Sequence, residues 1–570
     1  MNRNSEAHFA QVPTIDISRS KFDRSFNHKT TFNAGDIIPF FCTDVLPGDT
    51  MKMNTSHIVR MMTPITPVMD NANLDTYFFF VPNRLTWDHW QEFMGENKTA
   101  PWIQQTTYSE PQVQAPATTG WTKGSLADYF GFPTGIPGYK ASAMPFRAYA
   151  QIYNDWFRSE NLKNPCYIYT GDSDTVGVDI TDPNYDYVTD TIKGAAPCKA
   201  AKLFDYFTSA LPSPQKGPSV NVPLGQTAPI IGTDNINANR TLATNLVGKE
   251  IDFISYPVND PYHSQFETVE SMSGQGGNKA IGLAADLSNA VGATVNQLRQ
   301  AFQIQKFYER QARGGTRYIE LLRSHFKTTN PDFRMQRAEY LGGIRTPINI
   351  NQVVQTNASA EQLSGHYDSS NNWVWDVTDM TPQGNTAAYS LTSGRNKDLF
   401  THSFTEHGWV IGLAVVRQTR TYQQGLNRMF SRKSIFDYYW PELANLGEQS
   451  ILNKELYLQG PSAINPSTGK EYDEEAFGYQ ERYAEYRYMP DIVSGEMRSN
   501  YSQSLDIWHW ADDYSTMPVL GSDWIDESKD NIARTLAVQN HDQFFGDFWF
   551  NCIMTRPMPM FSVPGLMDHH

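Results

Sequence analysis

The sequence predicts a mainly β protein, either a barrel or a sandwich that carries elaborate loops. Its 570 residues include 38 glycines and 33 prolines, which favour turns, and 32 phenylalanines, 29 tyrosines and 13 tryptophans, which favour strands. Short β-like runs alternate with turn residues along the chain, and the sequence contains no repeat of solenoid length. Long connections between scattered strands are typical of one β core with extended loops.

Three apolar runs are the clearest strand candidates. The first covers 37–45 and ends at the turn Leu46-Pro47-Gly48-Asp49, and the second covers 75–82, which includes the ring cluster Tyr77-Phe78-Phe79-Phe80. The third is the run WVIGLAVV at 409–416. Runs of β-branched and aromatic residues that are bounded by turn residues predict strands.

Three segments have the periodicity of amphipathic helices. They cover 85–94, 146–162 and 294–312, and in each the apolar residues recur at intervals of three or four. Gly314-Gly315 is expected to end the third of these helices.

The formal charge of −15 is unevenly distributed along the chain. The segments 167–197 and 218–290 are acidic, whereas 299–345 holds ten basic residues against four acidic ones and 417–433 holds five basic residues and no acidic one. The arginine fork suits both carboxylates and phosphates, and the interleaved aromatic rings suit single-stranded bases. The sequence leaves three uses open: a solvated or internally salt-bridged face, ion pairs between subunits, and contacts with single-stranded nucleic acid.

Several classes of protein are disfavoured. The four cysteines lie far apart without a C-x-x-C pair, which argues against a disulfide scaffold or a zinc knuckle and fits a reducing compartment. The N-terminus lacks a secretory signal, and no apolar run approaches the length of a membrane span. No catalytic motif is present. On a strand His402 and Glu406 would share one face and His407 would point to the other, which disfavours a metal site formed by all three. We therefore expect no enzyme activity, no cofactor and no bound metal.

Several segments, taken in order, resemble the major capsid proteins of the Microviridae, gokushovirus branch, which are small single-stranded DNA bacteriophages. The resemblance covers nearly the whole chain and is carried by these stretches: TPITPVMDN at 63–71, YFFFVPNRLTWDHWQEFMGE at 77–96, PFRAYAQIYNDWFRSENL at 145–162, DYFTSALPSPQKG at 205–217, LRQAFQIQKFYERQARGGTRYIELLRSHF at 298–326, RMQRAEYLGGIRTPINI at 334–350, FTEHGWVIGL at 404–413, DYYWPELANLGEQ at 437–449, FGYQERYAEYRYMPDIVSGEMRS at 477–499, LDIWHW at 505–510 and MPMFSVPGL at 558–566.

The resemblance implies a viral jelly roll, an eight-stranded antiparallel β-barrel with long inter-strand insertions and a few short helices. It implies self-assembly into a T=1 icosahedral shell around a circular single-stranded DNA genome, with internal scaffolding proteins, DNA pilot proteins and a host surface receptor as further partners. Assembly is expected in the cytoplasm of the bacterial host. The corresponding organisation is an N-terminal arm at 1–35, one jelly-roll domain at 36–217 and 291–570, and a surface insertion at 218–290, the candidate three-fold protrusion for host attachment.

Two sets of residues are candidates for the contacts of such a shell. Basic side chains are predicted to meet DNA or neighbouring subunits, and the candidates are Arg3, Lys21, Arg24, Arg417, Arg420, Arg428, Arg432 and Lys433. Aromatic side chains are predicted at interfaces, with a place in the core as the alternative, and the candidates are Tyr206, Phe207, Tyr438, Tyr439 and Trp440. Two competing functions remain at this point: a carbohydrate-binding or carbohydrate-hydrolysing β protein, and a single-stranded DNA-binding protein that uses 299–345 and 417–433 and forms no shell.

Overall fold

The computed structural model describes residues 18–97, 107–220, 295–328, 336–354 and 386–561, with a few short segments between 230 and 381. The chain divides into two compact units, Met1–Pro214 with Gly314–His570, and Gln215–Arg313. The predicted insertion 218–290 falls in the second unit, and most of it lies outside the described residues.

The strands account for most of the regular structure. The first half of the chain contains β1 (Ser20–Asp23), β2 (Phe26–Phe32), β3 (Ile38–Val45), β4 (Thr50–Met61), β5 (Ala72–Pro82), β6 (Gln112–Gln114), β7 (Lys140–Ser142), β8 (Thr175–Val176), β9 (Ile230–Gly232) and β10 (Leu283–Ala285). The second half contains β11 (Glu339–Pro347), β12 (Ile350–Val354), β13 (Ser359–Ala360), β14 (Gly365–Tyr367), β15 (Trp373–Trp375), β16 (Met380–Thr381), β17 (Thr386–Ser390), β18 (Thr392–Ser403), β19 (Gly408–Gln418), β20 (Thr421–Tyr422), β21 (Glu448–Leu452), β22 (Ala476–Glu481), β23 (Asp491–Ile492) and β24 (Phe544–Arg556).

Most of the helices are single turns. They are α1 (Trp90–Phe93), α2 (Leu126–Tyr129), α3 (Met144–Ile152), α4 (Tyr187–Asp190), α5 (Val295–Gly314), α6 (Tyr318–Phe326), α7 (Asn453–Leu456), α8 (Ser522–Ile525) and α9 (Asp530–Ala533). The prediction of a mainly β fold with a few short helices is confirmed.

Two antiparallel sheets form the centre of the first unit. One sheet has the order β1-β24-β4-β18, with β2 also paired to β24, and the other has the order β11-β5-β19-β3. Their facing sides share one apolar cluster, in which the ring of Phe40 lies 4.8 Å from that of Phe548 and the ring of Phe78 lies 6.4 Å from that of Phe550. This packing of two sheet faces around a common core is a β-sandwich.

The four-stranded sheet is also covered on its other face. Alternate residues of β5 and β19, such as Phe79 and Ile411, pack with Phe146 and Tyr149 of α3 in a second apolar cluster. A strand that is buried on both faces has a near-continuous apolar sequence, which explains the run at 409–416. The five-stranded sheet alternates instead, because every second residue of β24 from Phe544 to Met554 is buried and the residues between them are partly or fully exposed.

The three predicted strands are confirmed as β3, β5 and β19, and the third predicted helix is confirmed as α5. The segment 85–94 contains only a 3-10 turn at Asn83–Leu85 and the single turn α1, and the helix at 146–162 ends in a π-helical turn at Tyr153–Phe157. Part of the predicted N-terminal arm joins the sheet, since β1 and β2 pair with β24.

Alternating rings explain why this part of the arm becomes a pair of strands. Phe32 is fully buried and its ring lies 5.7 Å from that of Phe544, while the rings of Phe26 and Phe550 lie 5.0 Å apart. Cross-strand aromatic pairs of this kind stabilise a sheet register.

Candidate assembly surface

The predicted basic cluster at 417–433 is largely neutralised within the chain. Arg417 lies at the end of β19 and its Nη2 donates to the Asp75 carboxylate at 2.5 Å and to the Tyr77 hydroxyl at 2.8 Å. Arg345 of β11 donates to the same buried carboxylate from the opposite side, with Nε 2.6 Å from Oδ1. Asp75 therefore holds two arginines of neighbouring strands.

Arg420 belongs to a buried group of four charged side chains. Its Nη1 donates to Asp512 Oδ1 at 2.9 Å, its Nη2 lies 2.5 Å from Glu527 Oε1, and its side chain is 2% exposed. Lys202 Nζ lies 3.7 Å from Asp512 Oδ2, so the group contains two positive and two negative charges. Burial of Arg420 corrects the prediction that it contacts DNA or a neighbouring subunit, since no face of its guanidinium remains open to either.

The pKa of Asp512 reflects this environment. Burial alone would raise it, but the positive charges of Arg420 and Lys202, together with hydrogen bonds from Tyr514 and Asn531, hold it at about 2. The hydroxyl of Tyr514 donates to Asp512 Oδ2 at 2.8 Å, and the side-chain amide of Asn531 donates to Asp512 Oδ1 at 2.6 Å. One of the four charges, the Asp512 carboxylate, is therefore supported by two further hydrogen-bond donors, as a buried ion pair requires.

Arg428 and Arg432 also have partners within the chain. Arg428 donates to the Ser450 carbonyl at 2.9 Å, and its Nε lies 3.7 Å from the Glu455 carboxylate. The Nη2 atom of Arg432 lies 3.8 Å from Oε1 of Glu485. Of the basic candidates in 417–433, Lys433 is the one whose residue is exposed.

The basic candidates near the N-terminus are more accessible. Lys21 and Arg24 are exposed on and beside β1, and Arg24 Nη1 lies 4.0 Å from the Asp44 carboxylate. Arg3 lies outside the described residues.

Tyr206 and Phe207 are core residues, which corrects their prediction as interface aromatics. Both are buried in a third apolar cluster, where the ring of Phe207 lies 4.8 Å from that of Tyr422. The hydroxyl of Tyr206 is satisfied there by the Glu455 carboxylate, to which it donates at 3.0 Å. The sequence had left this alternative open.

Tyr438, Tyr439 and Trp440, by contrast, are each about half exposed. They follow a 3-10 turn at Ile435–Asp437, which Ser434 caps by accepting from the Phe436 N–H at 3.2 Å. Trp440 Nε1 donates back to the Ile435 carbonyl at 2.8 Å. Local hydrogen bonds thus fix this loop while its rings face outward.

A second loop extends the same exposed area. Tyr439 packs against Tyr483 at 5.3 Å between ring centroids, and the guanidinium of Arg432 lies 5.1 Å from the ring of Tyr438 and 4.5 Å from that of Tyr486. We call the surface formed by residues 429–446 and 483–489 the aromatic surface.

Sequence reasoning missed several members of the aromatic surface. They include Ile435 (65% exposed), Phe436 (60%) and Met489 (76%), whereas Phe430 (71%) is one of the rings interleaved with the basic segment 417–433. The sequence feature that could have identified them is an apolar composition in a segment that has neither helical nor strand periodicity. Soluble monomers rarely expose contiguous apolar patches, so an area of this kind marks an interaction site.

The part of the chain that the structure describes offers neither a metal site nor a membrane-spanning helix. There, no group of three or more His, Cys, Asp or Glu residues could hold a metal ion. Glu406 is instead ion-paired, with its Oε2 2.8 Å from Arg84 Nε. No helix among the described residues is long and apolar enough to cross a membrane.

Comparison with known proteins shows the family. Residues 10–566 match the family described as "Capsid protein (F protein)". The chain belongs to this capsid-protein family. It is 42% identical over 577 residues to the capsid protein VP1 of Bdellovibrio phage phiMH2K, an alignment that covers 99% of this chain and 98% of that protein.

Two further capsid proteins agree over a similar extent. The capsid protein VP1 of Chlamydia phage 1 is 39% identical over 98% of this chain and 97% of its own length. The capsid protein VP1 of Spiroplasma virus 4 is 39% identical over 99% of this chain and 98% of its own length. The predicted resemblance to gokushovirus capsid proteins is confirmed, and the chain has a structural role in a virion.

Proposed function

We propose that this capsid protein assembles with copies of itself into a T=1 icosahedral shell around a circular single-stranded DNA genome. The observation that carries the proposal is the aromatic surface. Its rings and its arginine are of the residue types that are enriched at protein interfaces, and its loops are held by internal hydrogen bonds in the isolated chain. A preformed surface loses little conformational entropy when a neighbouring subunit covers it.

The fold of the subunit in this proposal is a viral jelly roll. The eight longest central strands support it, because their order in the two sheets is β2-β24-β4-β18 and β3-β19-β5-β11. The first sheet combines strands from the beginning, middle and end of the chain, and the second combines strands from the beginning and the middle, as a pair of interleaved Greek keys does. The jelly-roll domain covers 36–217 and 291–570, and β1 and β2 extend its five-stranded sheet from within the predicted arm.

The same proposal assigns the insertion 218–290 to host attachment at the three-fold protrusion. Internal scaffolding proteins, DNA pilot proteins and a host surface receptor are the further partners, and assembly takes place in the bacterial cytoplasm. Deleting residues 225–285 should preserve particle formation and reduce attachment to host cells. Loss of folding in this variant would show that the insertion is structural instead.

Electron microscopy of the full chain, expressed with and without its phage partners, tests the shell itself. The proposal predicts uniform small isometric particles in at least one of these conditions. Monomers under every assembly condition would contradict it.

A further inference from the structure

The five-stranded sheet has one face that no other described element covers along its centre. Because side chains alternate along a strand, the residues between the buried positions of β4 and β24 point away from the core. Among them Trp549 is 46% exposed, Phe545 is 37% exposed and Ile58 is 48% exposed. We call this side of the sheet the open face.

Basic side chains surround the rings on the open face. Register places Arg60 directly opposite Phe545, and it places Ser56 between Trp549 and Arg395 of β18. Two strand spacings put the backbones of Trp549 and Arg395 about 10 Å apart. A ring and an arginine at this separation can contact a base and a phosphate of the same strand.

The open face carries a charge opposite to that of the whole chain. Register assigns to it five basic residues, Lys21, Lys29, Lys52, Arg60 and Arg395, and two acidic ones, Asp23 and Asp547. A third acid, Asp398, lies in the bulge of β18 beside Lys52. Lys52 is paired with Asp398 at 2.6 Å and Lys29 with Asp547 at 3.9 Å. Among the described residues, no carboxylate lies within 4 Å of the charged groups of Lys21, Arg60 or Arg395.

We propose that the open face binds single-stranded DNA, with Trp549 and Phe545 stacking against bases and Arg60 and Arg395 contacting phosphates. Exposed rings on a sheet, with basic side chains along their flanks, are the combination that single-strand binding surfaces use. The inference rests on the proposed function, in which the shell encloses such a genome. It places the DNA contact on the open face and not on 417–433, because the four arginines of that segment already have partners in the chain.

Fluorescence-anisotropy titration of the purified full chain with a labelled oligothymidylate measures this binding. Trp549→Ala should weaken it about 5- to 150-fold, the range for loss of one stacked base, and Trp549→Phe should restore most of the affinity. Joint replacement Arg60→Ala with Arg395→Ala should reduce the slope of log affinity against log salt by about 1.4. Lys123→Ala with Lys470→Ala removes two exposed charges elsewhere and should leave the slope unchanged.

Electron microscopy of the same variants separates this inference from the proposed function. The inference predicts that Trp549→Ala particles form but contain less DNA than wild-type particles, and that the melting temperature of the subunit is unchanged. Unchanged DNA affinity and content in both the ring and the arginine variants would overturn it. Loss of particles in Trp549→Ala, with wild-type oligothymidylate affinity, would also overturn it, because the open face would then contact protein. Absence of particles from the wild-type chain would instead contradict the shell proposal.

Discussion

Replacing Arg420 with methionine should destabilise the subunit more than any surface substitution in the same basic segment. The change removes one positive charge from the buried group of Arg420, Lys202, Asp512 and Glu527, which is neutral as a whole. One carboxylate is then left buried without a counter-charge. Breaking a buried ion pair in this way costs about 3–5 kcal/mol.

The temperature shift follows from the size of the cooperative unit. An unfolding entropy of about 2.1 cal/mol/K per residue over roughly 470 residues gives about 1 kcal/mol per degree. Arg420→Met should therefore lower the melting temperature by about 3–5 °C in differential scanning calorimetry. Lys433→Met, which removes an exposed charge, should change it by less than about 0.5 °C.

A double-mutant cycle checks the reasoning. Arg420→Met combined with Glu527→Gln restores a neutral group, so the double variant should be more stable than the sum of the two single losses predicts. Acid adds a second test, since the pKa of Asp512 is about 2 in the folded chain against an ordinary value of 3.8. The associated stabilisation, about 2 kcal/mol, is present above pH 4 and is lost as the pH falls through about 2.

In Arg420→Met the pKa of Asp512 should rise, so loss of stability in acid should begin at a higher pH. Two results would refute the account: a melting temperature within about 0.5 °C of wild type, or strict additivity in the cycle. Either would show that the four charges do not stabilise one another.

Three further predictions concern other parts of the chain. Trp440→Ala should weaken subunit association by about 2 kcal/mol or more in sedimentation velocity and leave the melting temperature unchanged, whereas the matched core variant Phe207→Ala should lower that temperature by about 3–5 °C. Cys42 should react with iodoacetamide far more slowly than a free thiol at pH 9 by mass spectrometry, since burial, followed by the nearby Asp44 charge, raises its pKa to about 12. Gly35→Ala should lower the melting temperature by more than about 1 °C, because Gly35 has a φ of +82° and a Cβ there would meet the Glu527 carbonyl.

Each of these predictions has a contradicting result. If Trp440→Ala subunits associate as strongly as wild-type subunits, the aromatic surface is not a subunit contact. Alkylation of Cys42 at the rate of a free thiol would show that its surroundings open in solution, and a Gly35→Ala variant as stable as wild type would show that the loop can shift away from Glu527.

The strands were the most predictable part of the fold. The runs at 75–82 and 409–416 have few polar residues because the four-stranded sheet is buried on both faces, so their composition alone identified them. The sequence of 1–35 is polar and has little apolar periodicity, so it predicts an arm where the structure has strands β1 and β2. Their pairing partner, β24, lies more than 500 residues away in sequence, and no local pattern indicates it.

The candidate site was predictable by residue type and not by position. A basic segment and an aromatic segment have the same composition whether their side chains are buried or exposed. Arg420 and Tyr206 are buried because Asp512 and Glu455 lie beside them, and these acids are far away in the sequence. Tyr438, Tyr439 and Trp440 stay exposed because short 3-10 turns hold them away from the core.

A particle reconstruction with icosahedral symmetry tests the central claim most directly. The account predicts a T=1 shell in which Phe436, Tyr438 and Trp440 are buried against a neighbouring subunit. A shell in which the aromatic surface remains in contact with solvent would contradict it.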